Sequence, residues 1–244
     1  MTQREKAILC GLFLSRCDTA GLERLGFASF KEAYNILGLA IGVKPASIKN
    51  YRDELDPLFP NKRRGWHGRP LRPHCEKVYE TYKSHEVDEL VSLIARFTGC
   101  DFDSAADDSK CHNDSTAHAK RLLTGRAAEN YFLSNFNRHP EFTGSSAKDV
   151  TQAGCGFDFA LTFSGNHGFF AVEVKGLSTA NGTVSLTENE YRKAAELERN
   201  YFLYVVRNFD ESPEAVTIRN PAYSEFPFVR RERRIIEVTW ATHI

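Results

Sequence analysis

The stretch from Gly156 to Gly176, GFDFALTFSGNHGFFAVEVKG, sets two apolar runs around a small polar gap. In GFDFALTF, alternation puts Phe157, Phe159, Leu161 and Phe163 on one face and Asp158 and Ala160 on the other. In FFAVEVKG, Phe170, Val172 and Val174 oppose Ala171, Glu173 and Lys175 in the same way. A two-residue turn at Gly165 and Asn166 makes the runs a hairpin in which Phe159 faces Val172, Leu161 faces Phe170, and Asp158 faces Glu173. A slip of one residue would turn every apolar side chain to the wrong face.

Two carboxylates on directly opposed positions repel each other. A divalent cation between them reverses that sign, and Mg2+ takes one or two carboxylates with water and phosphate oxygens completing its shell. Lys175 emerges on the same face, where it can hold an attacking water or neutralise charge on a phosphate. The plainer alternative is a surface ion pair of Lys175 with either acid on a solvated sheet face.

Around this hairpin the chain reads as α/β. A helix through KRLLTGRAAENYFLSNF precedes it; SLTENEYRKAAELERN follows as a helix, YFLYVVRN and AVTIRN as strands, and IIEVTW as a last strand. Three apolar-periodic segments open the chain: EKAILCGLFLSRC, SFKEAYNILGLAIG and PASIKNYRDELD. The first is expected to be an amphipathic helix, its apolar run Ala7 to Leu14 being too short to span a bilayer. The next two, joined through Gly42 and Val43, have the layout of a helix-turn-helix. On the second helix Ile48, Tyr51 and Leu55 form the core face, and Ser47, Lys49, Asn50 and Arg52 are expected to point outward toward phosphates and base edges.

The formal net charge of zero conceals an uneven distribution. Residues 1–83 hold 15 Lys and Arg against 9 Asp and Glu, whereas residues 84–118 hold 2 against 8. A basic front section suits a polyanion. Its densest part is the Pro- and Gly-rich stretch 57–75, with Lys62, Arg63, Arg64, Arg69 and Arg72 and no acid, expected as an exposed arm along a phosphate backbone. These features divide the chain into a helical DNA-binding domain at 1–98, an acidic linker at 99–116 and a catalytic domain at 117–244.

Six cysteines without a CxxC pair fit reduced thiols, and with no membrane segment evident the expected location is the cytoplasm. Cys100, Cys111, His112 and His118 raise zinc, but their spacing fits no standard finger. His167 reads as a turn residue rather than a base, His139 and His243 have no visible partner, and the absence of P-loop, GxGxxG and GxSxG patterns gives nucleotide-driven translocation and acyl chemistry no support.

Asp158, fourteen residues, then Glu173-Val174-Lys175 resembles the signature of the PD-(D/E)XK nuclease superfamily. GRAAENYFL, GFDFALTF, FFAVEVKG, LTENEYRKA and YFLYVV together resemble the restriction-like nuclease domain at the C-terminus of the plant NO VEIN protein and in bacterial defence proteins, over roughly residues 117–210. Phe157-Asp158 stands where the superfamily has Pro-Asp. The resemblance implies a restriction-endonuclease-like mixed sheet flanked by helices, behind a mainly helical DNA-binding domain. It implies Asp158, Glu173 and the Val174 carbonyl as ligands of Mg2+ (with Mn2+ as a substitute), Lys175 as the catalytic lysine, and Glu129 as an acid beside the metal. Glu129 also reads simply as an exposed helix carboxylate near Arg126. Thr187 and Glu190 form a T-x-x-E capping box, and by the family pattern Asn189 and Glu190 approach the site.

The implied activity is Mg2+-dependent endonucleolytic cleavage of double-stranded DNA by a type II or modification-dependent restriction enzyme. A homodimer would cut both strands, and a cognate methyltransferase would be encoded nearby. The alternatives are a DNA-binding regulator with a non-catalytic nuclease-like domain, and a repair or mobile-element nuclease.

Overall fold

The computed structural model describes residues 1–63, 65–66, 68–99, 112–165 and 168–232. The expected strand IIEVTW, the turn residues Asn166 and His167, Arg64, and the acidic stretch 100–111 lie outside the described residues.

The first helix, α1 (Gln3–Arg24), starts at a capping box in which the Thr2 side chain and Glu5 satisfy each other's backbone N–H groups. Every residue from Ala7 to Ser15 is buried, so the expected amphipathic helix is instead a central one with no solvent face over that stretch. The reason is that α3 (Pro45–Leu55), α4 (Pro73–Tyr82) and α5 (Val87–Thr98) pack around it, with α2 (Phe30–Ala40) alongside. Helix α3 begins with Pro45 in its first turn, where a missing N–H costs nothing, and Ile48 and Leu55 are fully buried with Tyr51 packed beside them. Helix α5 stops at Gly99 in the left-handed conformation, which glycine adopts without strain.

Helix α6 (His112–Asn135) begins five residues earlier than the sequence suggests and links the two halves of the fold. It packs on α2 and on the sheet, burying Leu123, Ala127, Ala128 and Phe132 in a core that runs without a break from α1 to the strands.

The sheet has five strands in the order β1 (Ser145–Asp149), β2 (Phe159–Phe163), β3 (Phe169–Gly176), β4 (Tyr201–Arg207) and β5 (Glu214–Arg219). All neighbours are antiparallel except β3 and β4, which run parallel because α7 (Glu188–Leu197) carries the chain between them. The fold is therefore α/β with an open, mostly antiparallel sheet. Strand β1, SSAKD, is invisible to apolar alternation because it is an edge strand with only Ser145 buried.

The β2–β3 register is the expected one: Phe159 pairs with Val172 and Leu161 with Phe170. Phe159, Leu161, Val172, Val174, Phe202, Tyr204 and Val206 form the α6 side of the sheet. Ala171 and Tyr201 face the other way onto Ala194 of α7. Phe157, expected with Phe159, packs instead with Ala171 and Tyr201, because strict alternation begins only where β2 does, at residue 159.

Candidate active site

The approach to Asp158 is set by Gly156, whose φ is +87° and whose missing Cβ would lie 2.9 Å from the Asn189 carbonyl oxygen. Only glycine lets the chain pass so close to α7 in that conformation. The Tyr201 hydroxyl donates to the Gly156 carbonyl at 2.9 Å, and Asn189 Nδ2 donates to the Gly154 carbonyl at 3.0 Å. Asn189, expected near the site, thus braces the loop leading into it.

Asp158 is held from three sides. Its N–H donates to the Val172 carbonyl at 3.0 Å, its carbonyl accepts from Val150 N–H at 2.8 Å, and its Oδ2 accepts from Val174 N–H at 2.8 Å. The strict hairpin register therefore ends at residue 159. Asp158 addresses residues 172 and 174 rather than sitting squarely opposite Glu173, which corrects the simple geometry read from the sequence.

Glu173 lies in β3 beside the buried Leu203 of β4 and is 3% exposed. Its Oε1 is 2.6 Å from Lys175 Nζ, and the same ammonium donates to Glu190 Oε2 at 3.0 Å. Glu190 Oε2 also accepts Thr187 N–H at 2.8 Å, so the capping box anchors α7 and presents a carboxylate to Lys175 at once. The plainer reading, an ion pair on a solvated face, fails for Glu173, since that carboxylate is buried.

Electrostatics follow from this crowding. Burial, with the negative charge of Glu129 adding to it, pushes the Asp158 carboxyl up to about 6 even though Val174 N–H pulls it down. Burial and the neighbouring Asp158 push Glu173 up to about 8. Burial works against the Lys175 ammonium, yet Glu173 and Glu190 outweigh it and hold its pKa above the ordinary lysine value. Burial, then the charge of Glu173, raises the Tyr201 hydroxyl as well. One ammonium answers the carboxylates at Glu173 and Glu190, and Asp158 adds a further acid.

Glu129 is a half-buried helix carboxylate paired with Arg126. Arg126 Nη1 is 2.9 Å from its Oε2, and its charge reaches Asp158. Among the described residues no three His, Cys, Asp or Glu side chains converge as a metal-holding group. The residues offered to a cation are Asp158 and Glu173, with the Val174 carbonyl at the same end of β3. Their chemistry fits Mg2+, which is a hard ion served by one or two carboxylates with its other ligands from water and phosphate. His139 packs on Phe142, with ring centroids 4.4 Å apart, while His167 and His243 lie outside the described residues. So do Cys100 and Cys111 of the zinc candidate.

The basic residues expected on a nucleic-acid face divide sharply. Lys49, Asn50, Lys62 and Arg69 are exposed, Ser47 is half-buried, and Arg69 stacks on Trp66 at 3.8 Å. Arg52, expected to point outward, has a side chain 12% exposed that lies over the Phe30 ring and pairs with Asp53 at 2.8 Å. Arg63 forms a fork on Asp56, with Nε at 2.9 Å and Nη2 at 2.7 Å, and also pairs with Asp18. Arg72 forms a second fork on the buried Glu54, at 2.8 and 2.5 Å. The arm is acid-free in sequence, but acids outside it claim two of its arginines.

Residues 128–218 match the family model described as Protein NO VEIN, C-terminal. The matched segment runs from α6 through β5 and contains Glu129, Asp158, Glu173, Lys175 and Glu190. No curated protein and no solved structure matches the chain. No described helix is long and apolar enough to cross a membrane.

Proposed function

We propose that this chain is a Mg2+-dependent endodeoxyribonuclease of the PD-(D/E)XK type, cutting DNA through Asp158, Glu173 and Lys175. The observation that carries this reading is the linked set at the end of β3: Asp158 oriented by Val174 N–H, and buried Glu173 sharing Lys175 with Glu190. The match of residues 128–218 to the NO VEIN C-terminal model supports it.

When bound, Mg2+ supplies Lewis-acid polarisation of the phosphate and a water acidified for attack. Asp158 and Glu173, with the Val174 carbonyl, would hold the cation. The Val174 N–H fixes the Asp158 carboxylate in one orientation before any ligand arrives, so little reorganisation is needed. Lys175 is held protonated between two carboxylates, which suits it to stabilise negative charge on the phosphate and position the water, and unsuits it as a general base. Glu190 positions Lys175. Burial and Asp158 raise the Glu173 carboxyl, so a proton competes with a cation there.

The biological reading we favour is restriction, by a type II or modification-dependent enzyme acting as a homodimer beside a cognate methyltransferase. The test incubates the full chain and Mg2+ with methylated and unmethylated plasmid and sequences the ends. Discrete ends at one short motif are expected. Asp158→Ala, Glu173→Ala and Lys175→Ala should each lower cleavage by at least about 1,000-fold, equivalent to roughly 4 kcal/mol of barrier. Unaltered cleavage by those variants would overturn the site, and plasmid left uncut under both conditions would favour a DNA-binding regulator.

A further inference from the structure

A cleft of about 860 Å³ runs between α6 and the ends of α1, α2 and α5. Lys6, Arg96, Arg121 and Arg126 line it, with Glu129 as its only acid among the described residues. Arg126 already neutralises Glu129. Among the described residues no carboxylate lies within ion-pair distance of Lys6, Arg96 or Arg121, unlike Arg63 and Arg72 of the 57–75 arm.

The C-terminal ends of α2 and α5 border the cleft, and some of their carbonyls are already hydrogen-bonded. Carbonyl oxygens at the C-terminal end of a helix repel negative charge. Here Asn130 Nδ2 donates to the Leu39 and Ala40 carbonyls at 2.9 and 3.0 Å, and the Thr98 hydroxyl donates to Ile94 and Ala95 at 2.7 and 2.9 Å. The floor includes Gly125, in the interior of α6, where an added Cβ would meet nothing within 4 Å. Packing does not require that glycine, and it weakens the helix. What it does is keep the floor low. At one end the cleft reaches Glu129 and Thr151–Gln152, next to Val150, whose N–H bonds the Asp158 carbonyl.

We infer that this cleft binds the phosphodiester backbone of a single nucleic-acid strand and leads it to Asp158. Its volume lies in the range of about 300–1,000 Å³ typical of pockets for drug-sized ligands, which a few nucleotides of one strand fill and a duplex does not. Cations along a groove track phosphates without reading sequence. The inference rests on the nuclease reading for its direction, and it requires that one strand of a duplex substrate unpair locally at the cut.

The test needs no cleavage. Fluorescein-labelled oligo-dT of about twelve nucleotides and a duplex of equal length are titrated with the full chain in EDTA, by anisotropy, across a salt series. Single strand should bind more tightly than duplex. In Arg96→Ala/Arg121→Ala, affinity for oligo-dT should fall at least about tenfold and the salt slope by about 1.4, or 0.7 for each phosphate of a single strand that is no longer neutralised. Gly125→Leu, which fills the floor without altering charge, should also weaken binding about tenfold while circular dichroism and melting show an intact fold. Arg231→Ala, at an exposed position away from the cleft, should bind as wild type. Wild-type affinity and slope in the double variant, equal loss in Arg231→Ala, or tighter binding of duplex would overturn the proposal. Plasmid cleavage is scored separately, so a cleft that binds in a chain that never cuts would sink the nuclease reading alone.

Discussion

Glu54 and Asp56, at the end of α3, are as deeply buried as Glu173 on β3, at 3%, 2% and 3% exposure, but their surroundings differ in kind. Glu54 has the Arg72 fork to itself, and Asp56 has Arg63 together with the Ser15 hydroxyl at 2.7 Å. Burial pushes the Glu54 carboxyl up, yet the Arg72 hydrogen bonds outweigh it and leave the pKa below the usual carboxylate range. At the β3 site one lysine serves Glu173 and Glu190 while Asp158 stands close by, and both Asp158 and Glu173 end above that range. A fold that can satisfy buried acids completely in one region has left them short of positive charge in another. Such a deficit supports the proposal that Asp158 and Glu173 hold a cation.

Breaking the satisfied region should have the largest effect on stability. Arg63→Ala leaves the buried Asp56 with the Ser15 hydroxyl and Arg52 Nε at 3.7 Å in place of a fork, and about 3–5 kcal/mol of unfolding free energy should be lost in urea denaturation. Arg72→Ala should cost less, since its side chain is 44% exposed and water can reach the Glu54 fork from that side.

The unsatisfied region should respond in the opposite sense. Between the ordinary carboxyl values of 3.8 and 4.5 and the folded values of about 6 and 8, the native state holds more protons at Asp158 and Glu173 than the unfolded chain. Their contribution to stability is thus fully present below about pH 4 and is lost as pH rises toward 8. In EDTA, Glu173→Gln should flatten that decline and raise stability at pH 8 by about 0.5–2 kcal/mol, the range expected when a functional compromise is removed. A decline as steep as in wild type would show that Glu173 is not its source. Added Mg2+ should raise the wild-type melting temperature more at pH 8 than at pH 5, since protons no longer compete.

The smallest effect belongs to a cation that only looks fastened. Lys49 pairs with Asp53 four residues on at 2.5 Å, but the lysine is 55% exposed. Lys49→Ala should change stability by no more than about 0.5 kcal/mol, and a loss above 1 kcal/mol would place it with Arg63 instead.

The same contrast marks what was legible in the sequence. Alternation and a two-residue turn were enough for the β2–β3 register, and T-x-x-E for the start of α7, because short-range physics decides both. Strand β1 escaped, being a polar edge whose order depends on its neighbour. Arg63 and Arg72 looked free because Asp18, Glu54 and Asp56, which claim them, lie outside the basic arm, and a charge count cannot say which cations are spoken for. Glu190 was visible as a cap and only suggested as a neighbour of the site, since its meeting with Lys175 needs the parallel crossover from β3 through α7. The cationic cleft had no local signal at all: its cations come from α1, α5 and α6.

The most direct measurement titrates Mn2+ into the full chain without DNA and counts bound ions by electron paramagnetic resonance, in wild type, Asp158→Asn, Glu173→Gln and Glu54→Gln. The account predicts a bound ion in wild type and Glu54→Gln that is lost or weakened at least tenfold in the Asp158 and Glu173 variants. Equal binding in all four proteins, or none in wild type, would contradict it.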